Sequence, residues 1–195
     1  LNPVQELLQP EGSPRFRGVL EGIAMLVKGL PVPVMVKETG SGLSPRVVQT
    51  LLDAGVRIVD VAGAGGTSWG RVEMLRRRGS PELRPFGDWG IPTARAVRGA
   101  AMLKGSAGPF TLIASGGIES GLDAAKCIAL GADLVAAARP LLLALVRRGP
   151  GGLRTMLEGW RRALVGAMFL TGSRTIGNLQ HAALEETDPH GQPPL

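Results

Sequence analysis

Four strand-length runs of apolar residues, each followed by a helical pattern, most constrain how this chain can fold. The runs lie at Val32–Glu38, Arg57–Gly63, Phe110–Ile118 and Asp133–Pro140. Each is almost continuously apolar rather than alternating, which is typical of strands buried on both faces of a parallel sheet. Strands that alternate with helices connect through right-handed crossovers. The pattern therefore predicts an α/β fold built on a parallel sheet.

Helical patterns precede and separate these runs. Ser44 and Pro45 are residue types that start a helix, and Gly55 is a type that ends one. Further helices are predicted at about Arg15–Leu30, in the stretches IPTARAVRGAAMLKG and SGLDAAKCIALGA, and at about Gly151–Leu170. A long loop is predicted between the second run and the helix that follows it.

Two architectures satisfy this order of elements. One is an open doubly wound sheet, and the other is half of a (β/α)₈ barrel, because a full barrel has eight strands and takes about 250 residues. The chain has 195 residues and opens with LNPVQE, without a methionine. We therefore expect a segment of a longer protein.

Composition narrows the possible partners. The net charge is +6, but the arginines come in short bursts beside predicted helices, with no basic strand interleaved with aromatic residues and no zinc-ligand spacing. We expect no nucleic-acid partner. No apolar run reaches the roughly 18 residues of a membrane span, so no membrane partner is expected. The single cysteine, Cys127, is predicted to be a small core residue.

Unusual residues gather where the strands end, which is where both architectures bind ligands. Lys37 closes the first run and is followed by Glu38, so the lysine either faces the site or pairs with that glutamate at the rim. The second run ends in VDVAGAGGTSW, whose glycines would let backbone N–H groups approach a ligand or form an anion-binding nest. Trp69 follows this loop and is expected to wall a pocket or to plug the barrel mouth.

The last two runs end in ASGGI and AARP. Paired glycines in one loop and an arginine in the next are typical of the phosphate site that barrels build after strands seven and eight. Helix N-termini behind such loops also favour anions. These residues predict a phosphate-bearing cofactor and make the four strands five to eight of a barrel.

Several motifs together resemble one family. The stretches LNPVQE, VMVKETGSGLS, VDVAGAGGTSW, DWGIPT and ASGGIESGLDAAKCIALGAD stand in this order. In order and approximate spacing they are similar to the type 2 isopentenyl diphosphate isomerases, which are FMN- and Mg²⁺-dependent (β/α)₈ proteins. The resemblance implies that residues 1–178 form the C-terminal half of one FMN-binding barrel. Residues 179–195 are rich in Pro, His, Glu and Asp and are expected to form a loose tail.

The resemblance also implies roles in substrate binding and proton transfer. Asn2 would help to hold the substrate diphosphate, and Gln5 would contact the substrate and take part in proton transfer. Glu6 would bind the Mg²⁺ that neutralises the diphosphate. Trp69 would line the pocket beside the allylic carbons, and Glu73 would lie near the proton path.

The cofactor residues follow in the same way. Lys37 would face the pyrimidine edge of the flavin, and Thr67 would bind FMN. The FMN phosphate would be held by Gly116, Gly117, Ile118, Ala138 and Arg139. NAD(P)H or another reductant would keep the flavin reduced. We expect the protein to be a cytoplasmic homo-oligomer. We also expect the residues that the first half of the barrel contributes to the family's site to be absent from this chain.

Two alternatives remain open at this point. Another FMN-dependent barrel enzyme, such as a 2-hydroxyacid oxidase, shares the lysine strand and the phosphate loops but places a catalytic histidine by the glycine loop. AGAGGTSW contains no histidine, and the chain's two histidines, His181 and His190, lie in the tail. The other alternative is a non-catalytic module that binds flavin or phosphate and becomes active only on assembly with a partner.

Overall fold

A four-stranded parallel sheet forms the centre of the molecule. The structure, a computed structural model, describes residues 1–76 and 81–185. The strands β1 (Met35–Lys37), β2 (Ile58–Asp60), β3 (Thr111–Ala114) and β4 (Leu134–Val135) pair in sequential order. A doubly wound sheet would reverse its strand order part-way across. The sequential order is that of half a (β/α)₈ barrel, as predicted.

Helices connect the strands, and several of them share a core with one face of the sheet. They are α1 (Pro3–Leu8), α2 (Val19–Gly29), α3 (Pro45–Asp53), α4 (Trp69–Arg76), α5 (Thr93–Ala101), α6 (Gly121–Ala129), α7 (Arg139–Leu170) and α8 (Ile176–Leu179). Two 3₁₀ helices span Pro81–Asp88 and Met102–Gly105. As predicted, Ser44 caps α3, and its hydroxyl accepts from the Val47 N–H at 3.3 Å.

The strand register separates a helix-facing row from an interior row. Val36, Val59 and Leu112 are lateral partners and belong to one core with the buried residues of α3, α5 and α6. One position further along, Lys37, Asp60 and Ile113 are lateral partners, followed by Leu134. Because side chains alternate across a strand, this second row faces the barrel interior. Lys37 and Asp60 are therefore neighbours on the interior face.

The N-terminal segment lies along the open edge of β1. The Glu38 N–H bonds to the Asp60 carbonyl on β2, so the Lys37 carbonyl points the other way. That carbonyl accepts from the nitrogen of Leu1 at 2.5 Å. Leu1 thus occupies the place next to β1 where a preceding barrel strand would end.

Some elements differ from the predictions. Each strand is shorter than its apolar run, and α2 starts at Val19 rather than near Arg15. The loop predicted after the second strand contains α4, which periodicity missed because its buried residues are Gly70 and Glu73 rather than an apolar stripe. The short helix α1 was not predicted. The last long helix begins at Arg139 and kinks at Gly149–Pro150, where Gly149 has φ 65° and proline lacks an N–H donor.

The start of the expected tail packs onto the body. Leu179 is buried, and Gln180 donates to the Ala132 carbonyl at 2.9 Å. The rest of the predicted tail, residues 186–195 with His190, lies outside the described residues. Among the helices in the described ranges, none combines the length and apolarity needed to cross a bilayer.

A polar cluster around Asp133 ties these C-terminal residues to the sheet. Its Oδ1 accepts from Lys104 Nζ at 2.7 Å and from Gln180 Nε2 at 3.1 Å, and its Oδ2 accepts from the Leu112 N–H at 2.8 Å. Burial alone would raise the pKa of Asp133, but the Leu112 N–H and Lys104 outweigh it, so the pKa lies below its ordinary value. The folded chain therefore prefers the ionised carboxylate.

We expect Asp133→Ala to lower the free energy of unfolding by about 1–3 kcal/mol at neutral pH, because three donors lose their acceptor. The carboxylate's contribution is present above about pH 4, the ordinary aspartate pKa, and is lost as pH falls through the lower folded-state pKa. The difference between the two proteins should therefore shrink in acid. Urea unfolding at several pH values measures it. Asp53→Ala, on the exposed face of α3, is the control; an equal effect there would contradict the assignment.

Candidate functional site

A cavity of about 380 Å³ lies at the carboxyl ends of the four strands. The sequence predicted ligand binding at this end of the sheet. Every residue predicted to hold FMN lines the cavity: Lys37, Thr67, Gly116, Gly117, Ile118, Ala138 and Arg139. Trp69 also lines the cavity, and this residue is 46% exposed.

The glycines of the second and third strand ends pack against each other. A Cβ added at Gly66 would lie 2.8 Å from the Gly117 nitrogen, and one at Gly117 would lie 2.5 Å from the Gly65 carbonyl. A Cβ at Gly116 would collide with the Gly63 carbonyl oxygen. We predicted these glycines from the needs of a ligand. In the structure they are required first because two loops meet backbone to backbone.

Thr93, the first residue of α5, clamps the two loops together. Its Oγ1 donates to the Gly116 carbonyl at 2.6 Å, and its N–H donates to the Ala64 carbonyl at 3.2 Å. Its backbone also fills the space where a Cβ of Gly63 would lie. The sequence analysis missed this residue, since nothing in the local pattern PTARAV shows contact with loops about 25 positions away.

Glu38 fixes the loop that follows β1. The side chain is buried, and its Oε2 accepts from the N–H groups of Thr39, Gly40, Ser41 and Gly42 at 2.6, 2.6, 2.5 and 3.2 Å. The predicted alternative, a Lys37–Glu38 ion pair at the rim, is replaced by a different contact. Lys37 Nζ donates to the Glu38 backbone carbonyl at 2.7 Å and borders the cavity.

One end of the cavity is built to receive an anion. Within the described residues, the N–H groups of Gly117 and Ile118 donate to no protein acceptor. Helix α7 begins beside them at Arg139, and Ala138 at its N-cap supplies no side-chain hydrogen bond. The first N–H groups of a helix lack intrahelical partners and favour negative charge. The Arg139 side chain adds a cation without a protein partner in the described ranges.

Asp60 is a cavity residue that the sequence analysis did not single out. It ends β2, is 3% exposed, and its Oδ1 accepts from Ser115 Oγ at 2.7 Å and from the Ala62 N–H at 3.1 Å. Ala62 needs that bond, because it has a φ of 39°, in the left-handed region that side chains disfavour. The available signal was an aspartate inside the apolar run RIVDVAG.

The residues predicted to bind substrate and metal are not in the cavity lining: Gln5 and Glu6 lie on α1, and Asn2 is its N-cap residue. Asn2 Nδ2 donates to Glu6 Oε1 at 3.0 Å, and the Ser13 N–H donates to Glu6 Oε2 at 2.8 Å. The Ser13 bond, with help from Asn2, lowers the pKa of Glu6, so the carboxylate is the favoured form. Gln5 makes no side-chain hydrogen bond within the described ranges. Helix α1 packs on α4 through contacts at Gly70.

Glu73 is buried on α4 and pairs with Arg76 at 2.6 Å. It does not line the cavity. Among the described residues no group of three or more histidine, cysteine or acidic side chains could hold a metal ion. A cation at Glu6 would therefore need other oxygen ligands, which suits Mg²⁺ bound through one carboxylate together with substrate phosphates and water.

Cys127 is buried in the core, as predicted. Burial, reinforced by Asp123, raises the pKa of its thiol to about 11. The thiolate needed for nucleophilic chemistry is thus disfavoured. No histidine lines the cavity in the described part of the chain.

Comparison with known proteins identifies the family. Residues 17–186 match the family model described as FMN-dependent dehydrogenase. The chain belongs to the FMN-dependent dehydrogenase family. In fold it is similar to mandelate oxidase, for example the structure with (S)-2-phenylpropionate, with a TM-score of 0.64 and 23% identity over 84% of this chain and 42% of that one.

Curated relatives are more similar in sequence. The chain is 47% identical over 196 residues to the isopentenyl-diphosphate delta-isomerase of Chlorobaculum parvum, covering 94% of this chain and 54% of that protein. It is 55% identical over 151 residues to the protein of that name from a Synechococcus species, covering 74% and 41%. The resemblance inferred from the motifs is confirmed. The chain spans about half the length of these relatives.

The cavity fits the family's cofactor. Its anion-binding end suits the FMN phosphate, and Lys37 supplies positive charge at the opposite strand. Glycines at 66 and 116–117 keep that wall free of side chains. The residues of this chain can therefore hold part of an FMN molecule.

We expect Gly116→Ala to destabilise the fold and to weaken FMN binding by about tenfold or more, because its Cβ would force the glycine loops apart. Gly108→Ala is a matched control. Both glycines have positive φ, 100° and 74°, but a Cβ at Gly108 meets nothing within 4 Å. The control should show only the backbone strain of about 1–2 kcal/mol. Urea unfolding and fluorescence titration with FMN measure the two effects, and equal losses would argue against loop packing as the cause.

Proposed function

We propose that this chain is part of an isomerase that interconverts isopentenyl diphosphate and dimethylallyl diphosphate, using reduced FMN and Mg²⁺. The observation that carries the proposal is the 45–49% identity to isopentenyl-diphosphate delta-isomerases over 92–94% of this chain. The cavity at the strand ends supports it, because the residues it brings together suit a phosphate-bearing cofactor.

The cofactor side of the site follows from charge. Arg139, the free N–H groups of Gly117 and Ile118, and the N-terminus of α7 hold the FMN phosphate. Lys37 keeps positive charge beside the flavin ring and so favours its anionic reduced form. When bound, reduced FMN supplies electron density and a proton-carrying nitrogen at one face of the substrate. Thr67 contributes a hydroxyl to cofactor binding.

The substrate side follows from α1 and α4. Glu6 binds the Mg²⁺ that neutralises the diphosphate, and Asn2, already bonded to Glu6, helps to hold the same group. Gln5 contacts the substrate and takes part in proton transfer. Trp69 walls the pocket beside the five-carbon chain and excludes water, which protects a cationic transition state from capture. Glu73 assists the proton path from outside the cavity lining, with Arg76 as its partner.

Further features belong to this proposal. NAD(P)H or another reductant keeps the flavin reduced, and the working protein is a cytoplasmic homo-oligomer. A 2-hydroxyacid oxidase is disfavoured, because oxidation of a hydroxyl group needs a base to accept its proton. The base expected in that class is a histidine by the glycine loop, and the loop AGAGGTSW of this chain contains none.

The proposal is tested by incubating the FMN-loaded, reduced protein with isopentenyl diphosphate and Mg²⁺ and following dimethylallyl diphosphate by mass spectrometry or NMR. We expect conversion that is lost on oxidation of the flavin or on chelation of Mg²⁺. Glu6→Gln should lower the Mg²⁺-dependent rate at least about tenfold while FMN stays bound, and Glu21→Gln on α2 is the control. FMN-loaded protein that converts no substrate, or that instead oxidises a 2-hydroxy acid, would refute the proposal.

We expect Lys37→Ala to weaken the binding of reduced FMN by about tenfold or more, because the anionic flavin loses a nearby positive charge. The free energy of unfolding should change little, because Lys37 is an exposed residue at the end of β1 and is not part of the core. The flavin midpoint potential should fall, since the anionic reduced form loses its nearby cation. Lys28→Ala, on the exposed side of α2, controls for loss of one positive charge. Unchanged affinity and potential in Lys37→Ala would remove its assigned role.

A further inference from the structure

We propose that Asp60, oriented by Ser115, accepts hydrogen bonds from the ribityl hydroxyl groups of the flavin. The inference rests on the proposed use of FMN but not on the isomerisation itself. It concerns a carboxylate that neither the motifs nor the proposed reaction uses, although it lines the cavity.

The first observation that supports this proposal is the position of Asp60 in the sheet. Asp60 is the lateral partner of Lys37 on β1, and it bonds to Ser115, which directly precedes Gly116 and Gly117. It therefore lies between the cationic end of the cavity and the anion-binding end. Neighbouring strands are about 4.8 Å apart. A ligand that runs from Lys37 to the glycine loop must pass Asp60.

The second observation is that the charge of Asp60 suits only one part of the FMN molecule. FMN has a ring at one end, a phosphate at the other and a polyhydroxylated chain between them. A buried carboxylate would repel a phosphate or an anionic ring, but it is a strong acceptor for hydroxyl donors. Asp60 thus suits only the middle of such a ligand.

One oxygen of Asp60 is available for this role. Ser115 Oγ and the Ala62 N–H both donate to Oδ1. Within the described residues no protein donor reaches Oδ2, and no buried side-chain oxygen there lacks a partner. Oδ2 must therefore be open to the cavity that Asp60 lines. Ser115 holds the carboxylate so that this oxygen stays turned inward.

Asp60 also supports the strained Ala62, so a variant must preserve that contact. Asp60→Asn keeps an oxygen for the Ala62 N–H and the Ser115 hydroxyl while it removes the charge and replaces the second oxygen with an N–H₂ group. Ser115→Ala is a second variant, which keeps the carboxylate but releases its orientation. Glu119→Gln removes a negative charge from another cavity-lining residue that is exposed, and it serves as the matched control.

The experiment compares two ligands by fluorescence titration of each protein. One is FMN, and the other is an FMN analogue with the same ring and phosphate but with a five-carbon alkyl chain in place of the ribityl chain. We expect Asp60→Asn to lower FMN affinity about tenfold, the difference between a charge-assisted and a neutral hydrogen bond, and to leave analogue affinity nearly unchanged. Ser115→Ala should lower FMN affinity by a smaller factor and leave analogue affinity unchanged. Glu119→Gln should change the affinity for neither ligand.

Urea unfolding of each variant shows whether its fold is intact. If Asp60→Asn lowered the affinity for both ligands equally, Asp60 would act on the ring, the phosphate or the fold, and the inference would be overturned. Unchanged affinity for both ligands would overturn it as well. A protein that shows the FMN-specific loss but converts no isopentenyl diphosphate would support this inference and refute the proposed function.

Discussion

The site depends on the close backbone contact between the glycine loops that follow β2 and β3. There is no room for a Cβ at Gly66, Gly116 or Gly117, because each lies against the backbone of the facing loop. Thr93 bonds the two loops together. This contact brings the ends of two strands close enough to share one cavity wall. Because the wall is made of backbone, a ligand meets N–H groups rather than side chains there. The glycines serve the packing of the protein and the approach of the ligand together.

Charge is distributed along the cavity in a definite order. Lys37 stands at β1, the buried Asp60 at β2, and the free N–H groups with Arg139 at β3 and β4. Two of these charged groups are held by local structure: Lys37 by a carbonyl and Asp60 by Ser115. Glu38 holds the loop beside Lys37. Preorganised charges of this kind need little rearrangement when a ligand binds. The alternation of positive, negative and positive matches a ligand with a ring, a polyol and a phosphate.

Sequence reasoning predicted the architecture well. The four parallel strands, the helix that starts after Ser44 and the core position of Cys127 were all predicted from local patterns, and the cavity collects every residue predicted to bind FMN. Prediction from the sequence was less successful where the buried residues are not apolar. Helix α4 was missed because it buries Gly70 and Glu73, and α1 was missed because six residues are too short for a clear period.

The sequence by itself determined that strands and helices alternate, that binding residues stand at the strand ends, and which family the motifs resemble. These are local properties of residue type and spacing, so they can be read along the chain. Only the tertiary structure decided that the glycine loops pack on each other, that Thr93 clamps them, and that Asp60 turns inward beside Lys37. Those facts depend on contacts between residues 23 to 55 positions apart. No local pattern specifies such contacts, because they exist only once the strands have paired in register.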